Sequence, residues 1–199
     1  MSKLRKLFLT ALTLSIILLS GCAGDSADKM AEDDFESSAV SGAPAEEESS
    51  AGEEPSLEPI IFEGTDMEGN AVSSDVFSQS KLTMLNVWAT YCGPCLNEMP
   101  SLGELAAEYD TKDFQIIGIV SDVMEGEDQA LVESLIQRTG ANYTHLLLNE
   151  SIYYALLTDV SAVPTTFFLD EDGLVLGYVL GAREKSVWEE IINGLLEEL

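Results

Sequence analysis

The sequence predicts an α/β fold in which a central mixed β-sheet is flanked by helices. Between residues 57 and 199, short and largely apolar runs alternate with segments whose apolar residues recur at helical spacing. This alternation is typical of a sheet covered by helices. Near the end of the chain an Asp-Gly turn joins two apolar runs, which indicates an antiparallel pair. Together the two patterns predict a sheet with both parallel and antiparallel neighbours.

The first half of this region predicts a hairpin, a strand and a helix. Residues 60–62 and 71–72 flank Glu68-Gly69-Asn70, a pattern that predicts an N-terminal β-hairpin extension. The apolar run Leu82–Trp88 is typical of a central strand buried on both faces. A helix is expected over residues 95–109, because leucine and alanine side chains there share one face.

The second half continues the alternation. Residues 114–120 form another buried strand, and a helix over 128–139 is expected to start at a capping Asp128. A short strand at 143–148 and a short helix at 151–157 follow. The chain closes with strands Thr165–Asp170 and 174–180 and an amphipathic helix over 184–199, in which Trp188 is assigned to the core.

The composition is strongly acidic. The 199 residues include 36 Asp and Glu against 9 Lys and Arg, which gives a formal net charge of −27. Nucleic-acid binding and docking of a basic face on anionic lipid both need clustered Lys and Arg, so the composition excludes them. Three cysteines, at 22, 92 and 95, and the single His145 leave no ligand set for a structural zinc, and we predict no metal site. His145 is assigned no catalytic role.

The N-terminus predicts a signal peptide with a lipid attachment site. Basic residues at the start precede an apolar run over 7–20, which is shorter than the about 20 residues that span a bilayer. The run ends in Leu19-Ser20-Gly21-Cys22, which resembles the lipobox of bacterial lipoproteins. The resemblance implies a signal peptide over 1–21 and acylation of Cys22. An ordinary signal peptide with an incidental cysteine, or an uncleaved anchor, is the alternative.

Residues 22–56 are predicted to be the lipidated cysteine followed by a disordered acidic tether. Large apolar side chains in 23–56 are limited to Met30, Phe35 and Val40. So few cannot offset the entropy of ordering the chain. The folded domain is therefore expected over 57–199.

The chemistry is expected at Cys92-Gly93-Pro94-Cys95, where a buried strand ends and a helix begins. The free N–H groups at a helix N-terminus favour thiolate over thiol. Cys92 should precede the helix with an exposed sulfur and act as nucleophile, and Cys95 should be the shielded resolving thiol. Haem attachment would need a histidine after the second cysteine, where Leu96 stands. We therefore expect no cofactor other than the redox-active Cys92–Cys95 disulfide.

The stretch from Val87 to Cys95 resembles the active site of thioredoxin-fold proteins and, more narrowly, of TlpA/ResA-like thiol–disulfide oxidoreductases. Glu98-Met99-Pro100 resembles the Glu-x-Pro of that group, and residues 163–170 resemble its cis-proline segment and following strand. Residues 121–158 resemble the group's central insertion. The resemblance implies a thioredoxin fold over about residues 57–199.

The resemblance also implies roles for individual residues. The Val163–Pro164 bond is expected to be cis, with Pro164 facing the sulfurs and the Val163 backbone free to pair with substrate. Tyr91 and Trp88 are expected to contribute to substrate binding. Glu98 is expected to be the buried acid–base group, with a solvated surface carboxylate as the alternative.

These expectations predict a lipid-anchored oxidoreductase on the outer face of the bacterial cytoplasmic membrane that reduces disulfides of exported proteins. The family resemblance implies a membrane thiol electron donor, and substrates such as apocytochrome c or methionine sulfoxide reductase. A peroxiredoxin-like thiol peroxidase is one alternative, but Leu85 and Ala89 stand where its Pro and Thr are needed. A non-enzymatic binding lipoprotein is the other.

Overall fold

The computed structural model describes residues 58–199; the predicted signal peptide, Cys22 and the tether lie outside this part. Seven strands and four α-helices follow one another along it, with a 3₁₀ helix at Ser74–Gln79 and a π-helical turn at Tyr153–Leu157. In chain order the elements are β1 Glu63–Thr65, β2 Ala71–Ser73, β3 Leu82–Trp88, α1 Gly93–Glu108, β4 Phe114–Met124, α2 Ala130–Thr139, β5 Thr144–Leu148, α3 Glu150–Ile152, β6 Thr165–Asp170, β7 Val175–Leu180 and α4 Lys185–Glu198.

Five of the strands form one mixed sheet in the order β5-β4-β3-β6-β7. The pairs β3–β4 and β4–β5 are parallel, and β3–β6 and β6–β7 are antiparallel. Both parallel connections are helical and run in the same direction across the sheet, so the right-handed rule places α1 and α2 on one face. The prediction of a mixed sheet flanked by helices is confirmed.

Alternate residues of β3 point to opposite faces of the sheet and pack into separate parts of the core. Leu82, Met84 and Trp88 pack with side chains of α1, α2 and α4. Leu85 and Val87 pack instead with a group that includes Phe77 of the 3₁₀ helix and residues of the α3 region. Every residue of β3 is buried, as expected of a strand covered on both faces.

The N-terminal hairpin differs from the prediction in its first strand. Asp66 accepts hydrogen bonds from the backbone N–H groups of Glu68 and Asn70, at 3.0 and 2.8 Å, and thereby organises the turn. The strand that pairs with β2 is therefore Glu63–Thr65, adjacent to this turn, rather than residues 60–62.

The described chain enters the domain at one end of the main sheet. The backbone N–H of Ile60 donates to the carbonyl of Gly173, at 2.9 Å, in the turn between β6 and β7. That turn follows Asp170, which pairs with Leu82 at the start of β3. The cysteine pair follows the opposite end of β3.

The helix starts also differ from the predictions, by one or two residues each. Asp128 accepts the N–H of Ala130 at 3.0 Å, but α2 is capped by Gln129, which makes no side-chain cap bond. The short helix predicted at 151–157 begins one residue earlier and becomes π-helical from Tyr153.

Candidate functional site

The cysteine pair lies at the junction of β3 and α1. Cys92 is the N-cap of α1, Pro94 lies in the first turn, and a disulfide joins Cys92 to Cys95. The N–H of Cys95 donates to the Sγ of Cys92 at 3.2 Å. The N-terminus of α1 thus directs a backbone N–H group and the positive end of the helix dipole at the Cys92 sulfur. Both favour the anionic form of that sulfur in the reduced state.

The two cysteines differ in exposure less than predicted. Cys95 is completely buried, and Cys92 is only 5% exposed, so the expectation of an exposed Cys92 sulfur is wrong for this disulfide form. Both residues belong to a buried cluster with Trp88 and Met99. Cys92 is nevertheless the more accessible of the pair.

The cis-proline segment faces this cluster. The Val163–Pro164 bond is cis, as predicted. Val163 packs against the cluster that holds both cysteines, and among the described residues neither its N–H nor its carbonyl makes a hydrogen bond. The Pro164 carbonyl accepts the N–H of Gly181 at 2.8 Å, and this bond ties the cis-proline segment to the end of β7. The free backbone at Val163 is available to pair with another chain.

Glu98 is buried one turn after Cys95, so the alternative of a solvated carboxylate is excluded. Its Oε1 accepts the side-chain amide of Asn86 at 3.2 Å, and its Oε2 accepts the backbone N–H of Arg183 at 3.1 Å. Burial raises the pKa of Glu98, because desolvation outweighs these hydrogen bonds and the nearby Trp188 indole, which lower it. Residues three apart on a helix share a face, so Glu98 and Cys95 are neighbours on α1.

Trp88 does not offer a surface to substrate. Its side chain is fully buried, which corrects the prediction that it binds substrate. Its indole N–H donates to the Nδ1 of His145 at 3.2 Å, and the Nε2 of His145 lies 3.0 Å from the carbonyl of Ala141. Burial lowers the pKa of His145 to about 4, so the ring is neutral with its proton on Nε2. Trp88 itself packs with both cysteines in the buried cluster.

Tyr91 borders a groove beside the cysteines. It is 77% exposed, and with Val163 it lines a cavity of about 340 Å³. The remaining walls come from the π-helical turn and the loop after it, including Tyr153, Leu157 and Val160. The structure thus places Tyr91 and Val163 on one surface.

The sequence did not predict the hydrogen bonds that hold the loop leading to Cys92. The carboxylate of Asp122 on β4 accepts the backbone N–H of Thr90 at 3.0 Å from each oxygen, and its Oδ2 accepts the Thr90 hydroxyl at 2.5 Å. The neighbouring Ser121 hydroxyl donates to the Trp88 carbonyl at 2.9 Å. Thr90 and Asp122 are 32 residues apart, and no local sequence pattern predicts their contact.

Membrane-spanning helices and metal-binding clusters are both absent from residues 58–199. No helix in this part is long and apolar enough to cross a membrane. No group of three or more His, Cys, Asp or Glu side chains in the same residues is arranged to hold a metal ion.

Comparison with known proteins identifies the family. The family model described as Redoxin matches residues 41–193, so the match begins inside the segment predicted to be a tether. "Thiol-disulfide oxidoreductase ResA" of Bacillus thuringiensis (strain Al Hakam) is 28% identical over 138 residues, which cover 69% of this chain and 74% of the relative. "Thiol:disulfide interchange protein DsbE" of Escherichia coli (strain K12) is 29% identical over 137 residues, which cover 69% and 70%.

A solved structure confirms the thioredoxin fold. The thiol:disulfide interchange protein, a thioredoxin family protein, from Chlorobium tepidum TLS superimposes with a TM-score of 0.60 at 24% identity. The match covers 69% of this chain and 94% of that one. The chain therefore belongs to the Redoxin family and is a TlpA/ResA-like thiol–disulfide oxidoreductase of the thioredoxin superfamily.

Proposed function

We propose that this protein reduces disulfides of exported partner proteins from a lipid anchor on the outer face of the bacterial cytoplasmic membrane. The observation that carries the reductase assignment is the Cys92–Cys95 pair at the start of α1, in a cluster against which Val163 packs while its backbone N–H and carbonyl stay unpaired. Reduction as the direction is favoured by the Gly-Pro between the cysteines, which is the dipeptide of thioredoxin, a strong reductant.

The reaction runs through a mixed disulfide. The Cys92 thiolate attacks one sulfur of the partner's disulfide, whose S–S bond breaks, and the second partner sulfur leaves and takes up a proton. The Cys95 thiol then loses its proton and attacks the Cys92 sulfur, which releases the first partner sulfur as a thiol and closes the Cys92–Cys95 disulfide. Two electrons and two protons pass to the partner, and a thiol donor at the membrane must return them.

Glu98 is the proposed proton acceptor for Cys95. Attack by the resolving cysteine requires that its thiol lose a proton in a dry environment, and Cys95 is completely buried. A carboxylate whose pKa is raised by burial exchanges protons closer to neutral pH than an exposed one. Asn86, which bonds to Glu98, carries an amide and cannot accept this proton itself.

Partner binding is proposed to combine main-chain pairing at Val163 with side-chain contacts in the groove beside Tyr91. Pro164 presents the Val163 backbone, and the exposed Tyr91 ring forms the opposite rim. Exported disulfide proteins such as apocytochrome c or methionine sulfoxide reductase are the partner class that the TlpA/ResA resemblance supports. The 25 acids and 5 bases of residues 57–199 favour partners with basic surfaces.

Trapping in the native cell tests the reductase assignment. The Cys95→Ser protein should accumulate disulfide-linked partners at Cys92, since the resolving step is lost, whereas Cys92→Ser should trap none and should not reduce insulin. A Cys92→Ser protein that still reduces insulin would contradict the assignment. Reduction of hydrogen peroxide at a rate exceeding that of insulin would instead support the thiol peroxidase alternative.

A further inference from the structure

The segment between β3 and Cys92 is held by side chains of β4. Thr90 offers two donors, its N–H and its hydroxyl, and both end on the carboxylate of Asp122. The next bond along the chain is local, from the N–H of Cys92 to the carbonyl of Ala89 at 3.0 Å. Asp122 is therefore the long-range support of the turn that delivers Cys92 to the helix N-terminus.

We infer that Asp122 is a positioning residue for the dithiol: through Thr90 it holds the Cys92 sulfur against the N–H of Cys95 and so favours the Cys92 thiolate. The inference rests on the proposed function only in taking Cys92 as the attacking thiol. A hydrogen bond from a backbone N–H stabilises an anionic sulfur more than a neutral one. Loosening residues 89–91 weakens this bond and disfavours the thiolate.

The carboxylate also has an opposite effect that the experiment must separate. As a negative charge near Cys92, Asp122 by itself disfavours a second negative charge on the sulfur. Glu98, three residues after Cys95 on α1, bonds to the Asn86 amide and to the backbone N–H of Arg183. It does not bond to Thr90, so its charge stays in place when Asp122 is changed. Positioning and charge therefore predict shifts of opposite sign.

The test is the pH dependence of Cys92 alkylation by iodoacetamide in the reduced full-length protein, followed by mass spectrometry of the Cys92 peptide. If Asp122 acts by position, Asp122→Ala raises the midpoint of the profile by about one pH unit, a tenfold loss of thiolate at a given pH. Asp122→Asn removes the same charge but keeps neutral hydrogen bonds to Thr90, so its midpoint should lie below that of Asp122→Ala. Thr90→Val removes only the hydroxyl bond and should also raise the midpoint.

Asp170→Ala is the matched control. Asp170 likewise holds backbone N–H groups, those of Asp172 and Leu174 at 3.0 and 2.9 Å, but at the opposite end of the sheet. Its loss should change stability without moving the Cys92 midpoint.

Three results overturn the inference. They are an unmoved midpoint in Asp122→Ala despite a lower melting temperature, equal falls in the midpoint for Asp122→Ala and Asp122→Asn, and a midpoint shift in the Asp170→Ala control. If Asp122→Ala does not fold, Thr90→Val decides, because it keeps the Asp122 charge and removes one of the bonds: an unmoved or lower midpoint would then overturn the inference. Failure of the wild-type protein to reduce insulin would overturn the proposed function instead, because the alkylation profile needs no partner.

Discussion

Replacing Glu98 by glutamine removes a buried charge and keeps the size of the side chain. Two donors hold the carboxylate, the Asn86 amide and the Arg183 N–H, and hydrogen bonds to a charged group contribute about 1.5–3 kcal/mol each. The pKa of Glu98 is nevertheless raised, so the cost of desolvating the charge exceeds what these bonds return. The buried Oδ1 of Asn86 has no partner within residues 58–199 and can accept from a glutamine amide.

The sign of the stability change follows from proton linkage. Between the ordinary pKa of 4.5 and the raised folded value, the folded state of the wild type holds more protons than the unfolded state, so its stability falls as pH rises through this window. Glu98→Gln lacks this loss. Its free energy of unfolding should therefore exceed that of the wild type by an amount that grows as the pH rises above 4.5 and becomes constant above the raised folded pKa.

Urea unfolding of the oxidised proteins at a series of pH values measures this difference. Glu190→Gln, an exposed position in the middle of α4, controls for removing one negative charge from an acidic domain. A variant that becomes less stable relative to wild type as pH rises would refute the reasoning, because the ionised carboxylate would then be net stabilising. The same variant should show a changed pH profile of insulin reduction, and an unchanged profile would remove Glu98 from the mechanism.

Three further predictions concern other parts of the chain. Burial lowers the pKa of His145 from 6.5 to about 4. The free energy of unfolding should therefore fall by about 3 kcal/mol as the pH falls through this range, and it should fall less in a His145→Gln protein measured by the same urea titration. Gly118→Ala should destabilise the fold by at least about 2 kcal/mol, because a Cβ there would lie 2.2 Å from the Nδ1 of His145. The control Gly177→Ala has open space around its Cβ and should unfold near the wild-type urea midpoint. Cys22→Ser should move the protein from the membrane to the soluble fraction of fractionated cells, and retention would indicate anchoring by the apolar run itself.

The features that the sequence predicted well have local signals. The Cys-Gly-Pro-Cys motif, the apolar run of β3 and the Asp-Gly turn between β6 and β7 each occupy a few consecutive residues, and the structure has each of them in its expected place. The cis bond before Pro164 was predicted for a different reason, since it came from family resemblance and not from the residues alone.

The features that were missed depend on contacts between distant residues. Trp88 was assigned to substrate binding, but its hydrogen bond to His145, 57 residues away, draws the ring into the core. The bond between Thr90 and Asp122 likewise joins the loop after β3 to β4, between residues 32 positions apart in the chain. The first hairpin strand was misplaced because the side chain of Asp66 organises the turn, and an isolated aspartate near a turn does not reveal which backbone groups it will bind.

The contact between Ile60 and Gly173 has a practical consequence. The described chain enters at one end of the main sheet, and the dithiol lies beyond the other end. The seven residues of β3 separate the two ends by roughly 20 Å. A support attached at Ile60 itself would therefore lie at the end of the sheet opposite the dithiol. A partner protein approaching from solution would meet Cys92, Tyr91 and Val163 before it met the surface that holds the domain.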